Sequence, residues 1–424
     1  MIKFLLLGLI RDRHRSLFPI IVVTLGVMIT CFLYSYMNGF VSDFIRSNAI
    51  FDTGHVKVMT RAYADIANQI PNDLALFDAD QICASLHQDY PQYDWVERIK
   101  FGGLLDFPDE EGVTRVQGPV FGLGIDLLDS ASTEVERLNL NQSLVRGRLP
   151  EEPGEMVISD DFAQALDVEI GDLATLIGAT ANGGMAVFNF RLVGTVSFGI
   201  SALDRSAMLA DITDIQYALD MEDGAGEILG FLPEGFYDDD VCTETKDAFN
   251  ANYIQNDDEF SPVMITLLDQ NNLGDLLFHI DVRKYIMVII FISVMSIVLW
   301  NTGLTSGIRR YTEMGIRLAI GESKGHVYGT LISEAVIVGL VGSTLGTMLG
   351  LTFAYYLQEV GYDISSFAKG TSILISSVLR AHITPGSFYI GFIPGLGATI
   401  LGAAFSGIGL FKRQTSQLFR ELEE

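Results

Sequence analysis

Four long apolar runs divide the chain: Leu17 to Phe40, Tyr285 to Ile308, Val327 to Leu357 and Ile383 to Phe411. Glu334 is the only charge within them. A helix crosses the hydrocarbon core of a bilayer with about 20 apolar residues, so each run is long enough to span with some tilt. The first is too long for a cleaved signal, and no small-x-small site follows Tyr34-Ser35-Tyr36-Met37. It reads as an uncleaved anchor.

The stretch 41–282 has a different pattern. Short alternating runs predict strands at Arg98 to Asp106, Thr114 to Gly124, Gly154 to Ile158, Ala174 to Ile177 and Val187 to Val196. Asp-initiated segments predict helices at Asp78 to Leu86, Asp160 to Leu166 and Asp211 to Leu219. Ile50 to Met59 is expected to be the strand that leads out of the membrane. The layout is therefore an interfacial segment 1–16, a first span 17–40, an α+β domain 41–282 in two subdomains and a second span 285–308. A connection 309–326, a third span 327–357, a short loop 358–382, a fourth span 383–411 and a tail 412–424 follow.

Charge orients this layout. The net charge is −26, which argues against nucleic acid as a partner. Residues 41–282 hold 44 Asp/Glu against 12 Lys/Arg, a balance of −32, and the remainder carries +6. Lys3, Arg11, Arg13, Arg15, Arg309, Arg310, Arg317, Lys324, Lys412, Arg413 and Arg420 would share one side of the bilayer, against Lys369 and Arg380 in the short loop. The positive-inside rule then puts both termini in the cytoplasm and 41–282 outside. Arg283 and Lys284 are expected to snorkel. Residues 1–15, an apolar patch followed by a basic cluster, suit an interfacial helix or a frayed start to the first span.

The third run carries Gly342, Gly346 and Gly350 at four-residue spacing, and the fourth carries Gly391 and Gly395 beside Pro394. Small residues on one face let helices approach closely in a membrane, so these glycines are helix-packing candidates.

Several chemistries lack their motifs. No G-x-x-x-x-G-K-[ST] phosphate loop, H-E-x-x-H or G-x-S-x-G occurs, and the six histidines lack ligand spacing. The acidic runs at 238–240 and 257–259 lack EF-hand spacing. No metal, cofactor or catalytic residue is expected in this chain. Of three cysteines, Cys31 lies in a span, leaving Cys83 and Cys242 as a pair or as two free thiols.

The segment SGIRRYTEMGIRLAIGESKGHVYGTLISEAVIVGLVGSTLGTMLGL, residues 306–351, resembles the signature of the FtsX-like ABC permease superfamily. The resemblance rests on Glu313, Gly315, Arg317, Ala319, Ile320, Gly321 and Glu334. It implies an ATPase-coupling helix containing Arg309, Arg310, Glu313, Gly315, Arg317 and Gly321. Residues 152–178 and 190–221 are similar to the family's periplasmic core. MNGF at 37–40, GHVKVM at 54–59 and the segment 124–150 resemble the lipoprotein-releasing (LolC/LolE-type) permeases. The tail KRQTSQLFRELEE departs from the P-x-x-x-A pattern frequent in relatives. The implied fold is four transmembrane helices plus an α+β periplasmic domain of the MacB-like core type. The implied partners are a cytoplasmic ABC ATPase dimer that binds ATP and Mg, a second permease of the same or a related chain, membrane lipid and a lipoprotein cargo. A signalling permease acting on a periplasmic hydrolase, or a macrolide-exporter-like pump, is the alternative.

Overall fold

The computed structural model describes residues 13–109, 111–233, 237–253, 258–308, 311–363 and 378–412. The chain forms two compact units: Met1–Ser42 with His279–Tyr362 and Leu379–Glu424, and Asp43–Phe278 with Asp363–Val378. The first is the membrane unit and the second the insert.

Among the described residues, three helical stretches are long and apolar enough to cross a membrane: Leu17–Thr53, Lys324–Val360 and Pro385–Gly407. The remaining expected span lies within the helix Leu273–Ile308, and part of its side chains fall outside the described residues. The expectation of four spans is therefore met for three. The first helix, Arg13–Asn48, continues beyond the apolar run. The last span is not one regular helix. It opens with a 3₁₀ turn at Pro385–Phe388 and a π-helical stretch at Ile393–Ala398, and becomes α-helical at Thr399–Lys412. Pro394, at the start of the π stretch, has no N–H to donate and cannot continue a regular α-helix.

Among the described residues the main sheet of the insert has ten strands: β1 (Val56–Thr60), β2 (Asp94–Pro108), β3 (Thr114–Ile125), β4 (Leu144–Gly147), β5 (Glu155–Ser159), β6 (Leu173–Ala179), β7 (Met185–Val196), β8 (Ala207–Asp211), β9 (Glu227–Phe231) and β10 (Pro262–Thr266). They pair in the order β10-β1-β9-β2-β3-β8-β5-β7-β4, and β6 joins β2 to β7. β2 holds two subdomains together: its first residues pair with β9 and its later ones with β3 and β6. One core gathers Phe101, Leu105, Phe107, Met156, Phe190 and Met208; another gathers Val58, Leu86, Trp95, Ile228, Phe249 and Met264.

The interior strands β1, β5, β8 and β9 are buried along their whole length, which explains their mostly continuous apolar runs. β5 and β8 each lead into a helix, Asp160–Leu166 and Ile212–Leu219. Both helices stop at an aspartate in the left-handed conformation, Asp167 (φ 53°) and Asp220 (φ 57°), a helix-ending position that Asp tolerates better than most residues. The Asp211 carboxylate caps the second by accepting from Thr213 N at 3.0 Å. Edge strand β10 is covered on its free side by Asn250, whose amide donates to Met264 O and accepts from Met264 N, both at 2.9 Å. This side chain satisfies backbone groups that would otherwise template another strand.

The expected strand from Ile50 to Met59 needs correction. Ala49–Thr53 is a π-helical turn and the strand begins only at Val56. Gly54 (φ 61°) separates them, in a conformation glycine adopts without strain. Cys83 and Cys242 are both free thiols.

Glu97 on β2 carries a titration that the fold imposes. Burial pushes its carboxyl up to about 7, reinforced by the charge of Asp80. A folded-state value above the unfolded 4.5 gives stability that is present at low pH and lost as pH rises from about 4.5 to 7. Glu97→Gln is therefore expected to raise the melting temperature of the full chain in detergent at pH 8 and leave it nearly unchanged at pH 4. Equal effects at both pH values would contradict this.

Candidate functional site

Three arrangements stand out: a short helix between two long ones, a glycine-lined contact among the spans, and a buried charge cluster in the insert.

The short helix is Tyr311–Ala319. It ends in a Schellman motif: Glu322 N donates to Arg317 O at 3.1 Å and Gly321 N to Leu318 O at 3.1 Å. Gly321 holds the positive φ of 101° that this turn requires, which explains the glycine after Ala319-Ile320. The last turn anchors itself through Leu318, which packs against the buried cluster of Val327, Leu331 and Ala403. Gly315 is buried. Ile316 and Ile320, four residues apart, are 48% and 81% exposed. Arg317 pairs with Glu322 at 3.7 Å, and Glu322 lies 3.5 Å from His326. Of the sequence candidates here, Arg309 and Arg310 lie outside the described residues, as does the side chain of Glu313.

The glycines of the third and fourth spans meet the first helix. A methyl group at Gly342 would come within 2.7 Å of Val23, at Gly346 within 2.6 Å of Thr24 O, and at Gly350 within 2.7 Å of Met28 O. At Gly391 it would fall 2.7 Å from Cys31 Sγ, and at Gly395 it would collide with Ser343 Oγ. Val27 touches the faces of Gly346, Gly391 and Gly395 and is fully buried. A polar seam continues this contact: Ser35 Oγ donates to Ser387 Oγ at 2.9 Å and Asn38 Nδ2 to Thr384 Oγ1 at 3.3 Å. Such bonds add modestly to helix association in lipid.

Sequence reasoning missed the charge cluster. Glu227 on β9 lies between Lys57 of β1 and Lys100 of β2, 2.9 Å from each ammonium. Lys100 also pairs with Asp52 and donates to Asp52 O at 3.0 Å. Beside it, fully buried Arg98 grips Glu134 with two bonds, 2.7 and 3.1 Å, and donates to Ile50 O at 2.7 Å. Arg137 pairs with Glu134 and Asp94 and lies 3.9 Å over the Phe231 ring. Burial pushes the Lys57 ammonium down to about 8 against the pull of Glu227. For Lys100 the burial cost is overcome by Asp52 and Glu227, which raise it. Asp52 is held well below the usual carboxylate range: burial opposes its ionisation, but Lys100 and Lys57 outweigh it. The available signal was the placing of Lys57, Arg98 and Lys100 inside apolar strands of a stretch with few basic residues. Among the described residues no His/Cys/Asp/Glu group has the geometry of a metal site.

Residues 285–415 match the family model described as FtsX-like permease C-terminal. The matched region includes the short helix and the glycine-bearing spans. Over 272 residues the chain is 24% identical to a "Probable export ATP-binding/permease protein MacB" of Pseudomonas entomophila (strain L48), covering 60% of this chain and 39% of that protein. Over 90 residues it is 34% identical to a "Macrolide export ATP-binding/permease protein MacB" of Salmonella choleraesuis (strain SC-B67), covering 20% of this chain and 14% of that one. The matched stretches thus span well under half the length of these curated relatives. Among solved structures, the periplasmic region of MacB from Actinobacillus actinomycetemcomitans aligns with 53% of this chain and 97% of its own, at 11% identity and a TM-score of 0.35.

The glycine contact makes a specific prediction. Gly346→Leu should destabilise the membrane unit by at least ~2 kcal/mol, because its new side chain meets backbone. Gly397→Leu should be tolerated, since nothing lies within 4 Å of the position its Cβ would take. Thermal unfolding of both variants in detergent tests this, and equal losses would refute the packing role.

Proposed function

We propose that this chain is the permease subunit of an ABC transporter, moved by ATP hydrolysis in a separate cytoplasmic ATPase dimer. The observation that carries this reading is the short helix of the FtsX-like domain. It is fixed to the spans through Leu318 and turns the apolar side chains of Ile316 and Ile320 outward. Exposed apolar side chains on an anchored helix suit a partner groove. In this reading Arg309, Arg310, Glu313, Gly315, Arg317 and Gly321 form the ATPase-coupling element, and ATP and Mg belong to the partner.

The mechanism is mechanotransmission. Four spans, one of them Tyr285 to Ile308, would sit in a bacterial inner membrane with both termini in the cytoplasm and the insert in the periplasm. Closure of the ATPase dimer would shift the coupling helix. The chain connections at either end of the insert would carry the movement outward. A second permease, identical or related, would complete the assembly. Two cargo readings have support. The segments at 37–40, 54–59 and 124–150 resemble lipoprotein-releasing permeases, and this favours release of a lipoprotein from the outer leaflet. The names of the matched relatives favour macrolide-type export equally. Withdrawing an acyl chain from lipid costs about 0.8 kcal/mol per CH₂, so a lipoprotein cargo accounts for the need for ATP.

The test is purification of the full chain from its host in mild detergent, with co-purifying proteins identified. A P-loop ATPase should accompany the wild type and be lost with Glu313→Arg or with Ile316→Glu/Ile320→Glu, while the permease itself stays folded. Absence of any ATPase from the wild type would defeat the proposal. An acylated protein or a small drug in the sample would decide the cargo.

A further inference from the structure

The residues just after the first helix are held by an unusual set of contacts. Ala49–Thr53 is a π-helical turn, closed by Gly54 N donating to Ala49 O at 2.9 Å. Such turns concentrate at functional positions. Four side chains bind it: Arg98 at Ile50 O, Lys100 at Asp52, Gln270 at Thr53 O (3.1 Å) and Asn271 at Asp52 Oδ2 (3.0 Å). Gln270 and Asn271 lie three and two residues before the start of the helix Leu273–Ile308. The same turn is therefore tied to β2 through Arg98 and Lys100, and to the segment where the chain leaves the insert.

Two further observations make this more than a stabilising contact. A buried ion pair is weak evidence for stability, because well-packed apolar side chains of similar size often do as well. Charges kept at such a position suit a contact that must be specific and able to break. A cavity of about 280 Å³ also adjoins the cluster, lined by Asp52, Lys57, Lys100, Glu227, Gln270 and Asn271. Asp52 is the most accessible member, with 26% of its side chain exposed against 7% or less for Lys57, Lys100 and Glu227. If Asp52 leaves, Lys57 and Lys100 share Glu227 alone and the cluster carries one uncompensated positive charge, so release has to be driven and re-engagement is favourable.

We propose that Asp52, Lys100, Glu227 and Lys57 form a releasable clamp on the Ala49–Thr53 turn. Engaged, the clamp makes the turn move as one body with β1, β2 and β9. Released at Asp52, the turn keeps only its bonds from Arg98 and Gln270, has room to shift toward the adjoining cavity, and is followed less closely by the sheet. The proposal rests on the mechanotransmission reading only for what drives the movement.

The experiment is hydrogen–deuterium exchange on the full chain in nanodiscs, wild type against Asp52→Asn. Amides of Ala49–Thr53 should exchange at least ~10-fold faster in the variant, with β3 and β7 unchanged. Asp52→Glu should restore much of the protection. Unchanged exchange at the turn would overturn the clamp. Should Asp52→Asn fail to fold, Asp52→Asn/Lys100→Gln removes both charges of the pair together, leaves Lys57 with Glu227, and is read in the same way. A second arm uses the complex with its co-purified ATPase, with and without ATP and vanadate. In the wild type, nucleotide should alter exchange at both Ala49–Thr53 and β9; in Asp52→Asn the change should stop at the turn. A change that reaches β9 undiminished in the variant would also overturn the clamp. A wild-type complex that does not respond to nucleotide would remove the transporter reading, while the first arm still decides whether Asp52 holds the turn.

Discussion

A charge inside a protein must have a partner, and the organisation of the insert follows from that constraint around Glu227. Its carboxylate lies between two ammonium groups on neighbouring strands. An ion taken out of water costs several kcal/mol even after relaxation, so losing one member would leave another uncompensated. Register follows from this pairing. β1 and β2 flank β9, so Lys57, Glu227 and Lys100 meet only if all three strands keep their alignment. A slip of one residue would turn these side chains to the opposite face of the sheet.

The membrane unit meets a different constraint. Lipid is as apolar as the helices, so burial of apolar surface does not by itself bring them together. Close approach does, and it depends on removing side chains. Gly342, Gly346 and Gly350 bring the third span against the first, and Gly391 and Gly395 bring the fourth against the same residue, Val27. Hydroxyl and amide groups of Ser35, Asn38, Thr384 and Ser387 pair with one another along the contact. Without water to receive them, polar groups in a membrane bundle pair among themselves.

These two solutions suit the proposed work. Close contacts at glycine join the first, third and fourth helical stretches of the membrane unit, and buried ion pairs hold the strands of the insert in register. The short helix presents apolar side chains from an anchored position. The matched FtsX-like region covers this helix and the glycine-bearing spans, so the family resemblance and the geometry point to the same residues.

Much of this was legible in the sequence, for identifiable reasons. Uncharged apolar runs of bilayer length seldom occur outside membrane helices, and the helices at Asp160 and Ile212 announced themselves through aspartates at their start, in the first turn of one and at the N-cap of the other. The glycine spacing showed which face would pack, because a period of four residues lies along one side of a helix. Other features came only from the tertiary structure. Pattern suggested a strand from Ile50, but side chains from residues 98, 100, 270 and 271 hold Ala49–Thr53 as a π-helical turn. Lys57, Arg98 and Lys100 read as isolated charges within strands, since their partners Glu227 and Glu134 lie far along the chain. Local pattern determines which segments are apolar, where helices begin and which face is smooth. The pairing of buried charges is decided by which strands become neighbours, and that is a property of the folded chain alone.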